Sequence, residues 1–491
     1  MIGSRSRYTL ADILPFLFLM ACIALVLFCS FSELTTRPKI FYDEGLTIEV
    51  ARNFQLFGKP DVLTSPGQFS GVPYVTGSTG FLVSLPLAGF FSFFGFGLTQ
   101  ARIYALGWLI LFFVVTFFFS RKVFGPFASI SSLALLTTFP PLYDSGRRVL
   151  GEIPGFSFLL LGTYLLFYRR QYFIGGILLG LAAASKPSIY SLALVSVILV
   201  LAIIEREHLW RKLFVFISGA APMIALWFIF AVPDLLSLET WRGLIGFYSN
   251  PFGSGYSVVS SVQENIKMFF WHSTLIYFTL LSLPILAVFR WSDKFREERR
   301  LRAFFLIYGA LILVYFLKSP GWLRYLLPLQ LLILLFLPTA ILEIAERMKS
   351  LFSILAKIST RVMVASAVAG LFAIQLISLV WFSDIYASRD TEEVLALVHS
   401  RSGDNSIGVI NSPQIAAFLP PEKKYHFLQL NNKIIVGENP LLRPSSQLFP
   451  LLILPEPEEG LVISSDALGA LQENYELIKS VGRWQVFLLR N

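Results

Sequence analysis

Apolar runs of about 20 residues, the length at which a helix crosses the hydrocarbon core, recur along the chain. Short loops between them carry most of the lysines and arginines. The first run covers residues 12–30. Ten more follow at 102–120, 126–141, 153–168, 171–185, 188–204, 213–230, 269–289, 303–317, 323–341 and 362–382. Several are short and must extend into their flanks or thin the bilayer locally. The pattern predicts a polytopic α-helical membrane protein with about 11 transmembrane helices.

A further run, Gly80–Phe96, contains Pro86 and several glycines and ends at Phe94-Gly95-Phe96-Gly97. Counted as a span, it would reverse every later helix. Arg121-Lys122, Arg169-Arg170, Arg206 with Arg211-Lys212, and the cluster Arg290, Lys294, Arg296, Arg299, Arg300, Arg302 would then face outward. Laid in the interface as a shallow or re-entrant helix, it leaves them all inside, as the positive-inside rule requires. Arg5 and Arg7 precede the first run, which predicts a cytoplasmic N-terminus and a long first outer loop over 31–101 with juxtamembrane helices. The first run lacks a convincing cleavage site and reads as a retained anchor. The expected location is a prokaryotic plasma membrane.

After the last run the period changes. Asp390–Leu397 reads as a helix, and Ile407–Ile410, Tyr425–Leu430, Lys433–Val436, Leu461–Ile463 and Trp484–Leu489 read as strands. Leu451–Glu459 reads as a proline- and glutamate-rich loop. The expected organisation is a transmembrane module over 1–383 and a small external α/β domain over 384–491.

Composition agrees. The chain is 55% hydrophobic and only 14% charged, against about 25% charged in soluble domains. Its net charge of +9 is explained by the inner loops and is not a nucleic-acid signal. Cys22 and Cys29 both fall in the first run, so no disulfide framework is expected. There is no Walker loop, dinucleotide fingerprint or zinc signature, so neither a nucleotide nor a nicotinamide cofactor is expected.

Phe41-Tyr42-Asp43-Glu44-Gly45 changes the picture. It sets two carboxylates beside lipid, where they are costly. Leu46, Val50, Phe54 and Phe57 follow at helical spacing, predicting an amphipathic interface helix over 44–57 with Glu49 and Arg52 on its solvated face. In the plain alternative, Asp43 is only the cap of that helix. Arg147, Arg148, Lys186, Lys318 and Arg324 stand in outer loops, where positive charge should be depleted. Snorkelling accounts for them without function; holding a phosphate accounts for them with one. Glu152 heads a run and reads either as a structural partner of Arg147 or Arg148 or as a site carboxylate. Pro187, after Lys186, is suited to start the next helix. Pro328, after Arg324, should kink its own, and Trp322 and Tyr325 fall at headgroup depth. A divalent cation would find Asp43 and Glu152, with His272 as a third candidate.

Several short stretches, taken in order, resemble the polyprenyl-phosphate-dependent glycosyltransferases of the GT-C superfamily. They are Tyr42-Asp43-Glu44-Gly45, Thr76-Gly77-Ser78-Thr79-Gly80 to Pro86, Phe94-Gly95 with Ala101-Arg102, Ser145 to Glu152, Ser185-Lys186-Pro187 and Arg324-Tyr325-Leu326-Leu327-Pro328. The closest likeness is to family 39, the protein mannosyltransferase and aminoarabinose-transferase-like branch, over about residues 10–340. The resemblance implies Asp43 as catalytic base and Glu44 as the second acid of the pair. It sets Glu152 where many relatives carry aspartate, with Arg147 or Arg148 as the arginine before it. Gly77 to Gly80 stands where relatives often have His-Pro-Pro or Glu-Lys-Pro, so an acid or base present there is missing.

The implied reaction moves a sugar from a polyprenyl-phosphate donor to a hydroxyl of a glycan, lipid or protein acceptor at the outer face, by inverting displacement. Arg147, Arg148, Glu152, Lys186, Lys318, Arg324 and Tyr325 are the expected substrate-binding residues. Two other readings fit the same residues: a transporter or flippase of a lipid-linked sugar, and a non-catalytic envelope scaffold working through the C-terminal domain.

Overall fold

Hydrocarbon thickness dictates most of the architecture. In the computed structural model, eight described helices are long and apolar enough to cross a membrane, which makes the chain an integral multi-pass membrane protein. They are α1 (Leu10–Phe31), α5 (Leu98–Val123), α10 (Pro187–Ile204), α11 (Leu209–Ala231), α14 (Ser273–Trp291), α15 (Arg299–Lys318), α16 (Leu327–Leu351) and α17 (Thr360–Ile385). Three shorter apolar helices coincide with the expected runs at 126–141, 153–168 and 171–185: α6 (Pro126–Thr137), α8 (Glu152–Thr163, prolonged by a π turn over Tyr164–Tyr168) and α9 (Tyr172–Ser185). Between these lie α2 (Tyr42–Phe57), α3 (Pro73–Thr76), α4 (Phe81–Phe94), α7 (Pro140–Ser145), α12 (Leu238–Ser249) and α13 (Val258–Trp271). The structure describes residues 10–490 apart from 78, 250–256, 292–298, 353–356, 386, 431–433, 445–446 and 457–464. Arg5, Arg7, Ser78, Lys294, Arg296, Lys433 and the expected strand Leu461–Ile463 lie outside the described residues.

Lipid tails are as apolar as phenylalanine, so the bundle is held by interdigitation rather than by escape from solvent. Edge-to-face pairs such as Phe112–Phe113 (5.4 Å) and Phe305–Phe336 (4.9 Å) fill its centre. Arg102 Nη1, in the first turn of α5, donates to Leu34 O just after α1 at 2.7 Å. Residues 31–101 therefore leave and rejoin the bundle at one end. Its helix, α4, buries Val83, Leu87, Ala88 and Phe91 against α2 and α5.

The C-terminal region forms a six-stranded sheet in the order β5-β4-β3-β6-β8-β7. Its strands are β3 (Ile407–Ile410), β4 (Lys424–Leu430), β5 (Ile434–Val436), β6 (Leu451–Pro455), β7 (Tyr475–Val481) and β8 (Trp484–Leu489); β1 (Leu63–Ser65) and β2 (Gln68–Phe69) form a separate hairpin. Helix α18 (Asp390–Ser402) packs Val394 and Val398 on Val409, Ile453 and Val486. Helix α20 (Ser465–Asn474) packs Leu471 near Leu452 and Phe487, while a short α19 (Pro413–Ala416) follows β3.

Three local expectations are corrected. Leu451–Glu459 is not all loop: Leu451–Pro455 is a central strand, buried at every position. A strand covered on both faces shows no alternation, and the Pro-Glu-rich stretch after it disguised the run. Pro328 does not kink a helix. A 3-10 turn over Leu323–Leu326 precedes α16, and the proline lies in the helix's first turn, where its missing N–H costs nothing. Finally, α2 has no solvated face at Glu49 and Arg52. Glu49 is buried, and Arg52 Nη1 donates to Ala417 O (3.0 Å) and Leu419 O (2.7 Å) of the C-terminal domain.

Candidate active site

Helix α2 begins after Phe41, its N-cap, so Asp43 and Glu44 are the second and third helical residues and project differently. Glu44 does the capping that Asp43 could have done: Phe41 N–H donates to its Oε2 at 3.4 Å. Arg102 Nε and Nη2 donate to Glu44 Oε1 and Oε2 at 3.1 and 3.0 Å, and both side chains are fully buried. This closed pair ties α2 to α5 and gives Glu44 a structural position.

Asp43 faces the bundle. Its Oδ2 accepts from Arg324 Nη1 at 2.8 Å and lies 3.6 Å from Lys186 Nζ. Burial works to raise the pKa of this carboxyl, but Arg324 and then Lys186 hold it below the usual carboxylate range. Lys186 Nζ also lies 3.9 Å from Glu152 Oε1. Glu152 is fully buried, and neither carboxylate oxygen has a hydrogen-bond partner. Anion and cation thus alternate through Glu152, Lys186, Asp43 and Arg324. Asp43 and Arg324 keep 15% and 18% side-chain exposure, so a ligand can reach them.

Backbone contacts explain why Lys186 stands there. The last turn of α9 is pinched between two glycines. A Cβ on Gly80 would fall 1.6 Å from Ala184 O, and one on Gly151 2.0 Å from Ser185 O. Gly80 N–H donates to Ser185 O at 2.9 Å. Pro187 starts α10 immediately afterwards, as expected. Arg324 comes from the 3-10 turn; its guanidinium lies 4.7 Å from the Phe41 ring centroid, and that of Arg148 lies 5.1 Å from the same ring.

The remaining expected site residues spread out. Arg148 pairs with Asp144 (Nη2 to Oδ1, 2.6 Å), and Arg147 Nη2 donates to Ser32 O at 3.3 Å. Neither pairs with Glu152, which corrects that alternative. Tyr325 is buried, its ring 5.5 Å from the Arg324 guanidinium. Lys318 is exposed at the end of α15. His272 caps the C-terminus of α13, half-buried. The expected metal set does not assemble: among the described residues no three His, Cys, Asp or Glu side chains gather to hold an ion. Between Asp43 and Glu152 the cation is the Lys186 ammonium itself.

A cavity of about 630 Å³ opens beyond Arg324, lined by Asp144, Ser145, His272, Tyr277, Gln330 and Gln375 among others. A second space of about 300 Å³, between α14, α15 and α16, is almost wholly apolar. The two share Phe278 and Gln330 as a common wall. A chamber that carries Arg324, Asp144 and other polar side chains on a largely apolar lining, adjoining an apolar groove, suits a ligand with a charged head and a hydrocarbon tail.

No protein-family profile and no curated protein sequence matches the chain. Solved structures do match. ArnT from Cupriavidus metallidurans bound to undecaprenyl phosphate aligns over 97% of this chain and 98% of its own, with TM-score 0.59 and 13% identity. The Archaeoglobus fulgidus oligosaccharyltransferase in complex with Zn and sulfate aligns over 83% of this chain and 62% of its own, with TM-score 0.56 and 14% identity. The oligosaccharyltransferase AglB from Archaeoglobus fulgidus, in complex with an inhibitory peptide and a dolichol-phosphate, gives TM-score 0.51 at 13% identity over 85% of this chain and 65% of its own. At these identities the likeness is one of fold. The chain shares the fold of these solved proteins, and the narrower likeness to family 39 is not carried by it.

Proposed function

We propose that this protein transfers a sugar from a polyprenyl-phosphate-linked donor to an acceptor hydroxyl at the outer face of the membrane, as a family-39-like enzyme. One observation carries the proposal. A reachable carboxylate, Asp43, is shared between Lys186 and Arg324, and Arg324 lines a cavity bearing polar side chains that adjoins an apolar groove. The undecaprenyl phosphate and dolichol-phosphate held by ArnT and AglB support the donor class.

The chemistry follows from charge. In the resting site Asp43 is neutralised by two cations and is a weak base. An arriving phosphate competes for both, loosening their hold and raising the basicity of Asp43 only when donor is present. Asp43 then takes the proton of the acceptor hydroxyl while its oxygen attacks the anomeric carbon. The bond from that carbon to the phosphate oxygen breaks, and its electron pair leaves with the polyprenyl phosphate. Negative charge grows on the leaving oxygen in the transition state, where Lys186 and Arg324 stabilise it. One displacement inverts the anomeric centre. Glu152 supplies the counter-charge that lets Lys186 stay charged while buried.

In this reading residues 1–383 are the catalytic module, the N-terminus is cytoplasmic and residues 384–491 lie outside. The test is transfer by purified protein in detergent, from a short synthetic isoprenyl-phosphate sugar to a hydroxyl acceptor, with no gradient present. Product that depends on Asp43 supports the proposal. Gradient-driven movement of the donor across vesicles without transfer would support the flippase instead.

A further inference from the structure

Glycosyl transfer as proposed uses Asp43 and leaves another face of α2 unexplained. Tyr42, Gly45, Glu49 and Arg52 are spaced by three, four and three residues, so they share one face of the helix. All four meet the C-terminal domain. Tyr42 Oη donates to Asn411 Oδ1 at 3.0 Å. Gly45 lies so near the start of α19 that a Cβ would come 2.7 Å from Pro413 O and Gln414 N. Glu49 Oε1 accepts from Lys424 Nζ at 2.5 Å and from Leu63 N–H at 2.8 Å, and its Oε2 faces His426 Nδ1 at 3.9 Å. Arg52 reaches the carbonyls of Ala417 and Leu419.

Resting on the proposed activity, we infer that the C-terminal domain is a positioning element for the catalytic base, with Tyr42, Asn411, Glu49 and Lys424 as its positioning residues: it fixes the first turn of α2 and so holds Asp43 against Lys186 and Arg324. A buried ion pair adds little stability compared with apolar residues of the same shape, but it tolerates no slip, because a displaced partner is left charged in a medium that cannot solvate it. Glu49 and Lys424 form such a pair, with 1% and 3% side-chain exposure. The close approach at Gly45 removes the space in which α2 could shift towards the sheet. The 2.8 Å bond from Arg324 to Asp43 depends on that registry, since hydrogen bonds weaken steeply beyond about 3.2 Å. Burial pushes His426 down to about 3, so its charge does not change between pH 5 and 8. The clamp is permanent and not a pH switch.

Tyr42→Phe and Asn411→Ala each delete one hydrogen bond and leave the rest of the contact intact. The doubly substituted Glu49→Leu/Lys424→Met chain replaces the ion pair with apolar bulk. A misplacement of about 1 Å costs on the order of 10²-fold in rate. The expected result is kcat lowered by about 10-fold to 10²-fold, with the donor KM changed less than about 2-fold because Lys186 and Arg324 remain in place. The acid limb of kcat/KM should move to higher pH, since Asp43 freed from Arg324 and Lys186 becomes a stronger base. Arg324 and Lys186 are the charged groups facing it from the bundle, Glu152 lies behind Lys186, and among the described residues no C-terminal charge touches it. Amide hydrogen exchange in the first turns of α2 should speed up while that of α5 does not. Lower melting temperature with an unmoved acid limb and unmoved kcat would overturn the inference and leave a structural contact. If the unmodified protein transfers no sugar, the proposed activity fails by itself. Hydrogen exchange then decides the clamp alone, and unchanged protection of α2 in all three variants overturns it.

Discussion

Two carboxylate–lysine contacts lie within two turns of α2, and they behave oppositely. Asp43 and Lys186 are 3.6 Å apart beside a buried Glu152 with unsatisfied oxygens. Arg324, which also holds Asp43, lines a cavity large enough for a ligand. Glu49 and Lys424 are in tighter contact, and neither borders the cavities at the site. The first pair can trade partners with an incoming anion. The second cannot separate without unfolding the interface around it. Charge inside a membrane protein does not mark a site by itself; what marks one is a charged group left loosely satisfied where a ligand can arrive.

Substitutions can break or sharpen that contrast. The largest effect is expected at Asp43→Asn, which keeps shape and loses the base. Turnover should fall on the order of 10²–10⁴-fold with an unaltered melting temperature, and a variant that retains most of its turnover would end the base assignment. Lys186→Ala and Arg324→Ala should each lower transfer by roughly 10²–10³-fold, as loss of a transition-state donor does. They should also weaken binding of an isoprenyl phosphate measured directly, and unchanged binding in both would dismantle the phosphate cradle.

At the closed pair the readout is stability. Glu49→Gln strands Lys424 and should cost about 3–5 kcal/mol in thermal unfolding. Glu49→Leu/Lys424→Met strands only the Leu63 N–H, at about 1–3 kcal/mol, so it should lose less stability than Glu49→Gln, and equal damage from both would refute the contrast. pH separates the clusters again. Asp43 is held below the ordinary value of about 3.9. Its ionised form is therefore present above that value, and kcat/KM should fall only as pH drops through the lowered one. The limb in kcat should lie higher, because bound phosphate draws Lys186 and Arg324 away. Lys318→Ala, at an exposed position, should change transfer by less than about 2-fold, within the usual ±0.5 kcal/mol of surface substitutions.

The helical part of the fold was legible because a bilayer imposes one length on every crossing. The runs at 102–120, 188–204 and 303–317 sit inside α5, α10 and α15. The convergence of Lys186 and Arg324 near Asp43 was legible as charge in the wrong place. What sequence does not supply is side-chain direction. Glu44 sits one residue from Asp43 yet points to Arg102, and Arg147 one residue from Arg148 yet reaches Ser32. Glu49 looked solvated because its partner lies 375 residues away, in a domain whose docking nothing in α2 announces. Arg102 carried a signal that was available, an arginine near the start of a long apolar helix, which needs charged or carbonyl partners.

Phe278 and Gln330 are walls of both chambers at once. A carrier with a greasy chain and a charged end could therefore dock and depart sideways, sliding through the lipid flank without ever dissolving in water, while a polar partner came and went by the aqueous door.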